Sequence, residues 1–382
     1  MNIAAFGVGD WIEVRSKAEI LQTLDERGCL DSLPFMPEMF AWSGKRMQVI
    51  KSAHKTCDTA FPVRGRRLDD TVHLSTRCDG SAHGGCQAGC MIFWKAAWLK
   101  PAQAPTAIAP VVCAPIRFAP RDRTRQTPSV VTGCQERDVM GATRISGDTK
   151  DDPTYVCQAT RLPYFTQDLS PFDPRQYLAD LRSGNVPFGS WVSGLIYITY
   201  RNLINLGIGL GAPLRWLYDR FQGVVGGVPY PRRSGLIPMG QPTPTAELGL
   251  QEGDWVKVKS YKEILATCNE ENRNRGMFFD AEQVPYCGGT YRVHKRVTKI
   301  INENTGKMMP MKNPCIVLEN VFCRSRYSDC RLFCPRAIYS YWREIWLERV
   351  TVPRGLPSAS SSSARAEHDA HSLHQVRQHH SR

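Results

Sequence analysis

A glycine-rich segment that carries thiol and imidazole side chains is the part of this sequence with the clearest chemical potential. The segment CDGSAHGGCQAGC, residues 78–90, contains Cys78, His83, Cys86 and Cys90, and Cys57 precedes it in HKTCDT. Thiolates and imidazoles bind zinc tetrahedrally when turns bring them together, and glycines permit such turns. We therefore expect the four cysteines to converge on one metal ion, with His83 or the more distant His54 as alternative ligands.

The spacing of these cysteines leaves several chemistries open. The pattern C-x7-C-x3-C differs from the C-x2-C pairs of zinc knuckles. A structural zinc site is the leading interpretation, and an iron–sulfur cluster, a disulfide, a reactive thiol or thiols buried in a core are the alternatives. No phosphate-binding loop, dinucleotide-binding glycine pattern or hydrolase motif occurs in a credible context. The catalytic residues, if any, are not predictable from these motifs.

The two ends of the chain resemble each other. GDWIEVRSKAEIL (9–21) matches GDWVKVKSYKEIL (253–265), and FWKAAWL (93–99) matches YWREIWL (341–347). Because several such matches occur in the same order, the sequence predicts a duplicated unit of about ninety residues.

The second copy predicts a second group of metal ligands. VHLSTRC, which ends at Cys78, aligns with VLENVFC, which ends at Cys323. The pair Cys86/Cys90 then aligns with Cys330/Cys334. The fourth ligand of this copy stays open, and the candidates are Cys315, Cys287 and His294.

The pattern inside each copy favours short strands around one short helix. Trp11 to Val14 alternates as a half-buried strand does, and Ser16 with Glu19 predicts a capped helix that ends at Gly28. Further strands are expected at 47–51, 72–74 and 93–99. Four tryptophans spaced by four are expected in the core rather than at a ligand-stacking surface: Trp94, Trp98, Trp342 and Trp346.

The GDWxxV start followed by a charged strand resembles the SH3-like barrels of KOW type. The resemblance implies an α+β protein with two SH3-like small barrels flanking a partly helical insert. The chain also resembles a group of bacterial tandem-repeat proteins that share LPFMPEM, HKTCDT, CDGSAHGGCQAGC and CPRAIYSYWREIWLER. That resemblance implies an association with polysaccharide or natural-product biosynthesis.

The composition of the remaining segments divides the chain into five parts. The expected order is a first repeat (1–100), a Pro/Arg-rich linker (101–153), a mainly helical insert (154–252), a second repeat (253–350) and a disordered Ser/His-rich tail (351–382). DPRQYLADLRSGN predicts one helix of the insert, with Asp173 as its N-cap, Pro174 in its first turn and Gly184 at its end.

Charge, cysteine content and hydropathy indicate which partners, which compartment and which membrane contact to expect. A formal net charge of +13 favours an acidic partner, which is an anionic glycan, a nucleic acid or a protein. Fourteen cysteines without a visible secretion signal indicate a reducing compartment, the cytoplasm. The apolar run 191–214 has Arg201 near its centre, so we expect a buried amphipathic segment rather than a membrane span, with interfacial membrane contact as the alternative.

Two classes of function follow from these features. The leading hypothesis is a metal-stabilised binding or accessory protein, with zinc as the metal. The alternative is a metal- or thiol-dependent biosynthetic enzyme that uses the site formed by Cys57, Cys78, Cys86 and Cys90. A metal site with an open coordination position would favour the enzyme, and a closed site with four protein ligands would favour the structural role.

Overall fold

The structure of the protein is a computed structural model. It describes residues 5–60, 64–104, 133–145, 149, 151–207, 209–328 and 330–350. The tail 351–382 and most of the Pro/Arg-rich linker, for which disorder and a loose loop were predicted, lie outside the described residues. The described part is an α+β structure of antiparallel sheets and short helices, as the sequence predicted.

Strands and helices occur in the following positions. The strands are β1 Trp11–Val14, β2 Cys29–Leu30, β3 Leu33–Pro34, β4 Arg46–Ser52, β5 Lys55–Asp58, β6 Arg64–Arg67, β7 Thr71–Leu74, β8 Trp94–Lys95, β9 Leu99–Pro101, β10 Gln167–Leu169, β11 Trp255–Val258, β12 Arg273–Asn274, β13 Met277–Phe278, β14 Thr290–Ile301, β15 Met308–Phe322, β16 Tyr339–Trp342 and β17 Leu347–Arg349. The α-helices are α1 Lys17–Leu21, α2 Glu136–Gly141, α3 Leu162–Phe165, α4 Pro174–Arg182, α5 Phe188–Ile204, α6 Gly211–Val225 and α7 Tyr261–Leu265. Four 3₁₀ helices span Pro37–Trp42, Ala96–Trp98, Ala281–Tyr286 and Glu344–Trp346.

The two halves contain five-stranded sheets with the same strand order. The first sheet runs β8-β7-β4-β1-β9 and the second runs β16-β15-β14-β11-β17. Their registers also correspond, since Trp11 pairs with Gln48 in the first sheet and Trp255 pairs with Arg292 in the second. The ordered sequence matches therefore fall on equivalent strands, and the first and second halves below are named after these sheets.

Neither sheet closes into a barrel among the described residues. In each sheet the two edge strands, β8 and β9 or β16 and β17, pair only with an inner neighbour. The predicted SH3-like closure is therefore wrong, and both sheets are open. The predicted strand 93–99 is also divided, because a 3₁₀ turn at Ala96–Trp98 separates β8 from β9.

The apolar face of each sheet packs on aromatic side chains. Trp94, Trp98, Trp342 and Trp346 are fully buried, which confirms their assignment to the core. In each half the second tryptophan of the pair donates its indole N–H to a threonine: Trp98 to Thr23 (3.1 Å) and Trp346 to Thr267 (2.9 Å). Burying an aromatic ring contributes roughly 2–3 kcal/mol, so these pairs anchor the sheets.

A capped single turn follows the first strand of each half. Ser16 and Glu19 form the predicted capping box, in which the hydroxyl accepts from the N–H of Glu19 and the carboxylate accepts from the N–H of Ser16. Ser260 and Glu263 repeat it at α7. The helix ends at Leu21 and not at Gly28, because the chain must turn into β2 at Cys29.

The two halves pack against each other through reciprocal contacts. The ammonium of Lys55 donates to the carbonyl of Leu332 (2.7 Å), and the ammonium of Lys299 donates to the carbonyl of Gly84 (2.8 Å). Lys55 and Lys299 occupy equivalent positions in the chain, since each lies six residues after a valine, Val49 or Val293, that pairs with the corresponding Leu74 or Leu318. Each half thus extends a hairpin against the cysteine-containing loop of the other, as the subunits of an isologous dimer do.

The insert between the sheets contributes three longer helices. Helix α4 spans Pro174–Arg182 with Asp173 as its side-chain N-cap, which confirms the prediction for this segment. The described residues between 191 and 214 fall in α5, the turn after it and α6, and many of their apolar side chains are exposed. The expectation of a buried segment is therefore wrong for these positions. In the described part of the chain, every helix is too short or too polar to cross a bilayer.

Candidate metal centre

Three elements of the first half bring a carboxylate, a thiol and an imidazole together. Glu38 lies in the first turn of the 3₁₀ helix Pro37–Trp42, and Cys78 follows β7. The loop that carries His83 is closed where the N–H of Cys78 donates to the carbonyl of Cys90 (2.8 Å). The loop returns on itself at Gly80, whose φ is +73° and where a Cβ would lie 2.1 Å from the carbonyl oxygen of Cys86. Only glycine fits there, so the predicted role of this residue type is confirmed.

The three side chains form a compact and buried group. Their ligand atoms all lie within 4.8 Å of one another. The Sγ of Cys78 is 2.9 Å from Oε1 of Glu38, and Nδ1 of His83 is 3.2 Å from the same oxygen. The side chains of His83 and Glu38 are only 1% and 5% exposed. Thiolate, imidazole and carboxylate are the three ligand types that zinc accepts in proteins.

The hydrogen bond on the far side of the imidazole determines its tautomer. Nε2 of His83 lies 3.0 Å from the carbonyl oxygen of Val156, which can only accept. Nε2 must therefore carry a proton, so Nδ1, which faces Glu38, is the ring atom that would coordinate a metal. A metal-binding histidine usually has this arrangement, in which the other ring N–H donates to a carbonyl or carboxylate.

Two buried polar atoms of this group lack a hydrogen-bond partner. They are Nδ1 of His83, which is close to Oε1 of Glu38 without hydrogen-bond alignment, and Oε2 of Glu38. A buried polar atom without a partner costs roughly 1–3 kcal/mol. A cation between the imidazole, the carboxylate and the sulfur would satisfy both atoms at once.

The environment alters the acidity of the thiol and the carboxyl group. Burial raises the pKa of the Cys78 thiol, and the neighbouring Glu38 carboxylate raises it further. Burial also acts to raise the pKa of Glu38, but its contacts with His83 and Cys78 outweigh burial and the pKa is lowered. Without a cation the sulfur therefore stays protonated and donates to the carboxylate, and metal binding would release that proton.

The second half has the same carboxylate and thiol but a different third group. Glu282 occupies the position of Glu38 in the corresponding 3₁₀ helix, and Cys323 follows β15 as Cys78 follows β7. Oε1 of Glu282 accepts from the N–H groups of Tyr327 (2.5 Å) and Ser328 (2.8 Å). Two amide protons thus stand where the first half places the imidazole nitrogen, so Oε1 of Glu282 is satisfied without a metal. Oε2 of Glu282 lacks a hydrogen-bond partner, as Oε2 of Glu38 does, and the imidazole of His83 is therefore what distinguishes the first half.

Two other predicted ligands of the first half lie beside the group of Glu38, Cys78 and His83 and are not part of it. Cys86 and Cys90 line a neighbouring cleft together with Cys78, His83 and Cys157. The Sγ of Cys86 accepts from the N–H of Ile301 in the other half (3.3 Å), and burial raises the pKa of Cys90 to about 12. Through this cleft, Cys78 and His83 can be approached from the side of these thiols.

Cys57 lies in a different place from the one that the sequence indicated. Its sulfur pairs with the thiol of Cys334 in the other half, and the hydrogen bond with Cys334 is the largest cause that lowers the pKa of Cys57 below its ordinary value. Burial opposes the shift, whereas Arg336 and Arg331 support it. Cys57 therefore belongs to a buried thiol pair between the halves.

The remaining predicted ligands of the second half are dispersed. The sulfur of Cys323 contacts the hydroxyl of Ser325 (3.4 Å), and Cys330 is exposed. The sequence alignment of Cys90 with Cys334 is wrong in the structure, because the N–H of Cys78 pairs with Cys90 whereas that of Cys323 pairs with Ile338. An insertion in the second loop accounts for the shift.

The alternative ligands proposed from the sequence have other contacts. His54 joins Asp180 through Nε2 (3.0 Å) and Ser52 through Nδ1 (3.3 Å), in a network with completely buried side chains. His294 packs against the ring of Tyr339. Cys315 lies in a small apolar cluster, and Cys287 packs against the core of the second sheet.

Sequence reasoning missed Glu38 and Cys157. Glu38 lies within LPFMPEM, and an equivalent glutamate, Glu282, occurs in the second half, so the repeat contained a signal for it. Cys157 lies in the insert, far from the motif in sequence, and only the packing of the insert places it beside Cys86.

Comparisons with known proteins found no relative of this chain. No family model matches the chain, and no curated protein or solved structure is similar to it. The functional argument therefore depends on the site itself.

Proposed function

We propose that this protein binds one zinc ion through Glu38, Cys78 and His83. The observation that carries the proposal is the buried pair of unpartnered atoms, Nδ1 of His83 and Oε2 of Glu38, beside the Cys78 thiol. The hydrogen bond from Nε2 of His83 to Val156 supports the same assignment, since it orients the ring for coordination through Nδ1. The mixed ligand set supports zinc over an iron–sulfur cluster, which is usually held by four cysteines.

In this proposal the ion has a structural effect. It joins the 3₁₀ helix that carries Glu38, the loop of residues 78–90 and, through Val156, the insert. The protein then acts as a metal-stabilised binding or accessory protein with a basic surface, in line with a net charge of +13. Its expected partner is acidic, and the expected compartment and the biosynthetic association remain predictions from the sequence.

Metal analysis of purified protein tests the zinc site. We expect about one zinc per chain in the wild type and a large loss in Cys78→Ser and His83→Ala. The matched control is Cys323→Ser, which removes the equivalent thiol of the half that lacks the imidazole and should leave the zinc content unchanged. Wild-type protein that is folded, reduced and free of zinc after growth in zinc-supplemented medium would contradict the proposal.

A second candidate function is a zinc-dependent enzyme. Three protein ligands with an open fourth position are typical of catalytic zinc sites, and Cys78 and His83 both line the cleft. In such a site the zinc would lower the pKa of a bound water and polarise the substrate. Cobalt substitution separates the two functions: a spectrum that changes on addition of azide indicates an open position, and an unaffected spectrum indicates a closed structural site.

A further inference from the structure

Helix α6 presents its apolar face to the outside. Trp216, Leu217, Phe221 and Val224 are between 53% and 80% exposed, and they follow the i, i+1, i+5, i+8 positions of one helical stripe. Tyr218 and Asp219 point toward the protein, where Asp219 accepts from the N–H of Tyr230 (2.7 Å). This is the reverse of a surface helix that buries its apolar side, so the exposed stripe is available for a further contact.

Helix α5 and the turn after it extend the same kind of surface. Ile196 and Leu203 of α5 are 63% and 46% exposed, and Leu206 and Leu210 in the connection are 59% and 50% exposed. Connections between helices are normally polar because they face water. A connection with exposed leucines at both ends indicates a medium other than water around the tip of this helical hairpin.

The charged residues within the sequence of this hairpin are basic up to Asp219. The sequence contains no Asp or Glu between Asp180 and Asp219, whereas Arg182, Arg201 and Arg215 lie in that interval. Asp219 itself forms an ion pair with Arg233. Arg220 is exposed next to Phe221 on the apolar stripe. An apolar face that carries the exposed Arg220, in a helical hairpin whose sequence from residue 181 to 218 has no acidic residue, complements a negatively charged lipid surface.

We propose that the hairpin formed by α5 and α6 docks on the surface of an anionic lipid bilayer. The apolar stripe of α6 enters the boundary between headgroups and acyl chains, with Trp216 and Phe221 as its aromatic anchors. Arg220 contacts lipid phosphates. The hairpin lies in the plane of the surface, since neither helix has the length and hydropathy to cross the bilayer. This inference does not depend on the zinc site.

Co-sedimentation of the full chain with vesicles tests the proposal. We expect binding to phosphatidylcholine vesicles that contain phosphatidylglycerol, little binding to phosphatidylcholine alone, and weaker binding as salt increases. The double variant Trp216→Ser/Phe221→Ser should bind roughly tenfold more weakly or worse. The control Phe278→Ser removes an aromatic side chain that is 48% exposed elsewhere and should bind as the wild type does.

Two further measurements distinguish lipid binding from misfolding of the double variant and from dimerisation of the chain. Arg220→Glu changes only a surface charge and should weaken binding to the anionic vesicles, so the test does not depend on the folding of the double variant. Light scattering shows whether the stripe joins two copies of the chain instead. No binding of the wild type to anionic vesicles, equal binding of the variants, or a dimer that Trp216→Ser/Phe221→Ser abolishes would each overturn the proposal.

Discussion

His73 is a residue whose burial should make stability depend on pH. It is fully buried in β7, and burial lowers its pKa to about 4 from 6.5. Its Nδ1–H donates to the carbonyl of Ile92 (2.9 Å), which fixes the tautomer of the ring and opposes part of the shift that burial causes in the pKa. The equivalent strand position in the second half is Val317, which cannot ionise.

The first prediction follows from that pKa difference. Between pH 6.5 and pH 4 the unfolded chain binds a proton that the folded chain does not, so stability falls as the pH decreases through this window. The full effect is about 3 kcal/mol. Urea unfolding across this window should show a shallower pH dependence for His73→Val than for the wild type. Equal slopes for the two proteins would contradict the prediction.

Some residues of the site could be predicted from the sequence, and others could not. Cys78 and His83 were identifiable because they share one short glycine-rich loop. Glu38 and Cys57 were not placed correctly, because their partners depend on how the loop packs against other elements. Cys57 meets Cys334 across the contact between the halves, and no local spacing encodes that contact.

At the scale of elements, the loop of residues 78–90 depends on glycines that approach other side chains closely. A Cβ at Gly84, with φ of +63°, would lie 2.2 Å from the hydroxyl oxygen of Tyr155 in the insert. Gly276 has φ of +81°, yet nothing lies within 4 Å of a Cβ built there. Alanine at Gly84 would meet both backbone strain and steric crowding, whereas alanine at Gly276 would meet backbone strain alone.

The second prediction compares alanine at these two glycines. Both variants carry the strain of a left-handed residue, roughly 1–2 kcal/mol. Gly84→Ala should lose a further 1–3 kcal/mol or so through overpacking, and because His83 precedes it, the variant should also bind less zinc. Chemical denaturation and metal analysis measure the two effects. Similar losses for Gly84→Ala and Gly276→Ala would show that Tyr155 moves aside at little cost.

Local sequence patterns predicted the individual helices and strands better than they predicted whether the sheets close into barrels. The capping box of Ser16 and the N-cap of α4 at Asp173 depend on neighbouring residues, and both were identifiable. Whether the sheet closes depends on long-range pairing of its edge strands, which the alternation of side chains does not determine. The outward apolar face of α6 was equally hidden, since periodicity shows that a face exists but not which medium covers it.

At the scale of the whole molecule, one lysine links the two halves to the insert. The ammonium of Lys55 contacts Asp180 of α4 (2.5 Å) and the carbonyl of Leu332 in the second half. Burial lowers the pKa of Lys55, and the charge of Asp180 opposes that shift. The ammonium of the equivalent Lys299 donates to the carbonyl of Gly84 in the first half, and this side chain is partly exposed.

The third prediction concerns these two lysines. Lys55→Met leaves the buried carboxylate of Asp180 without its ammonium partner, with the imidazole of His54 as a remaining hydrogen-bond partner, and should destabilise the protein by about 3–5 kcal/mol. Lys299→Met is the matched control and should cost less than about 1 kcal/mol. Calorimetry checks the difference. A small effect of Lys55→Met would mean that the ion pair contributes little to joining the halves.

The contact between Arg336 and Cys57 has a consequence for biosynthesis of the chain. The guanidinium of Arg336 donates to the carbonyl of Cys57 across 279 residues of sequence. At roughly 5–20 residues per second, a ribosome needs on the order of 15–55 s between these two positions. Throughout that interval the hairpin of the first half lacks its arginine and its thiol partner, Cys334. Until translation is nearly finished, the nascent chain therefore carries Cys57 without the groups that lower its pKa and without the second half that buries it, which exposes this thiol to oxidants in a way that the folded protein does not.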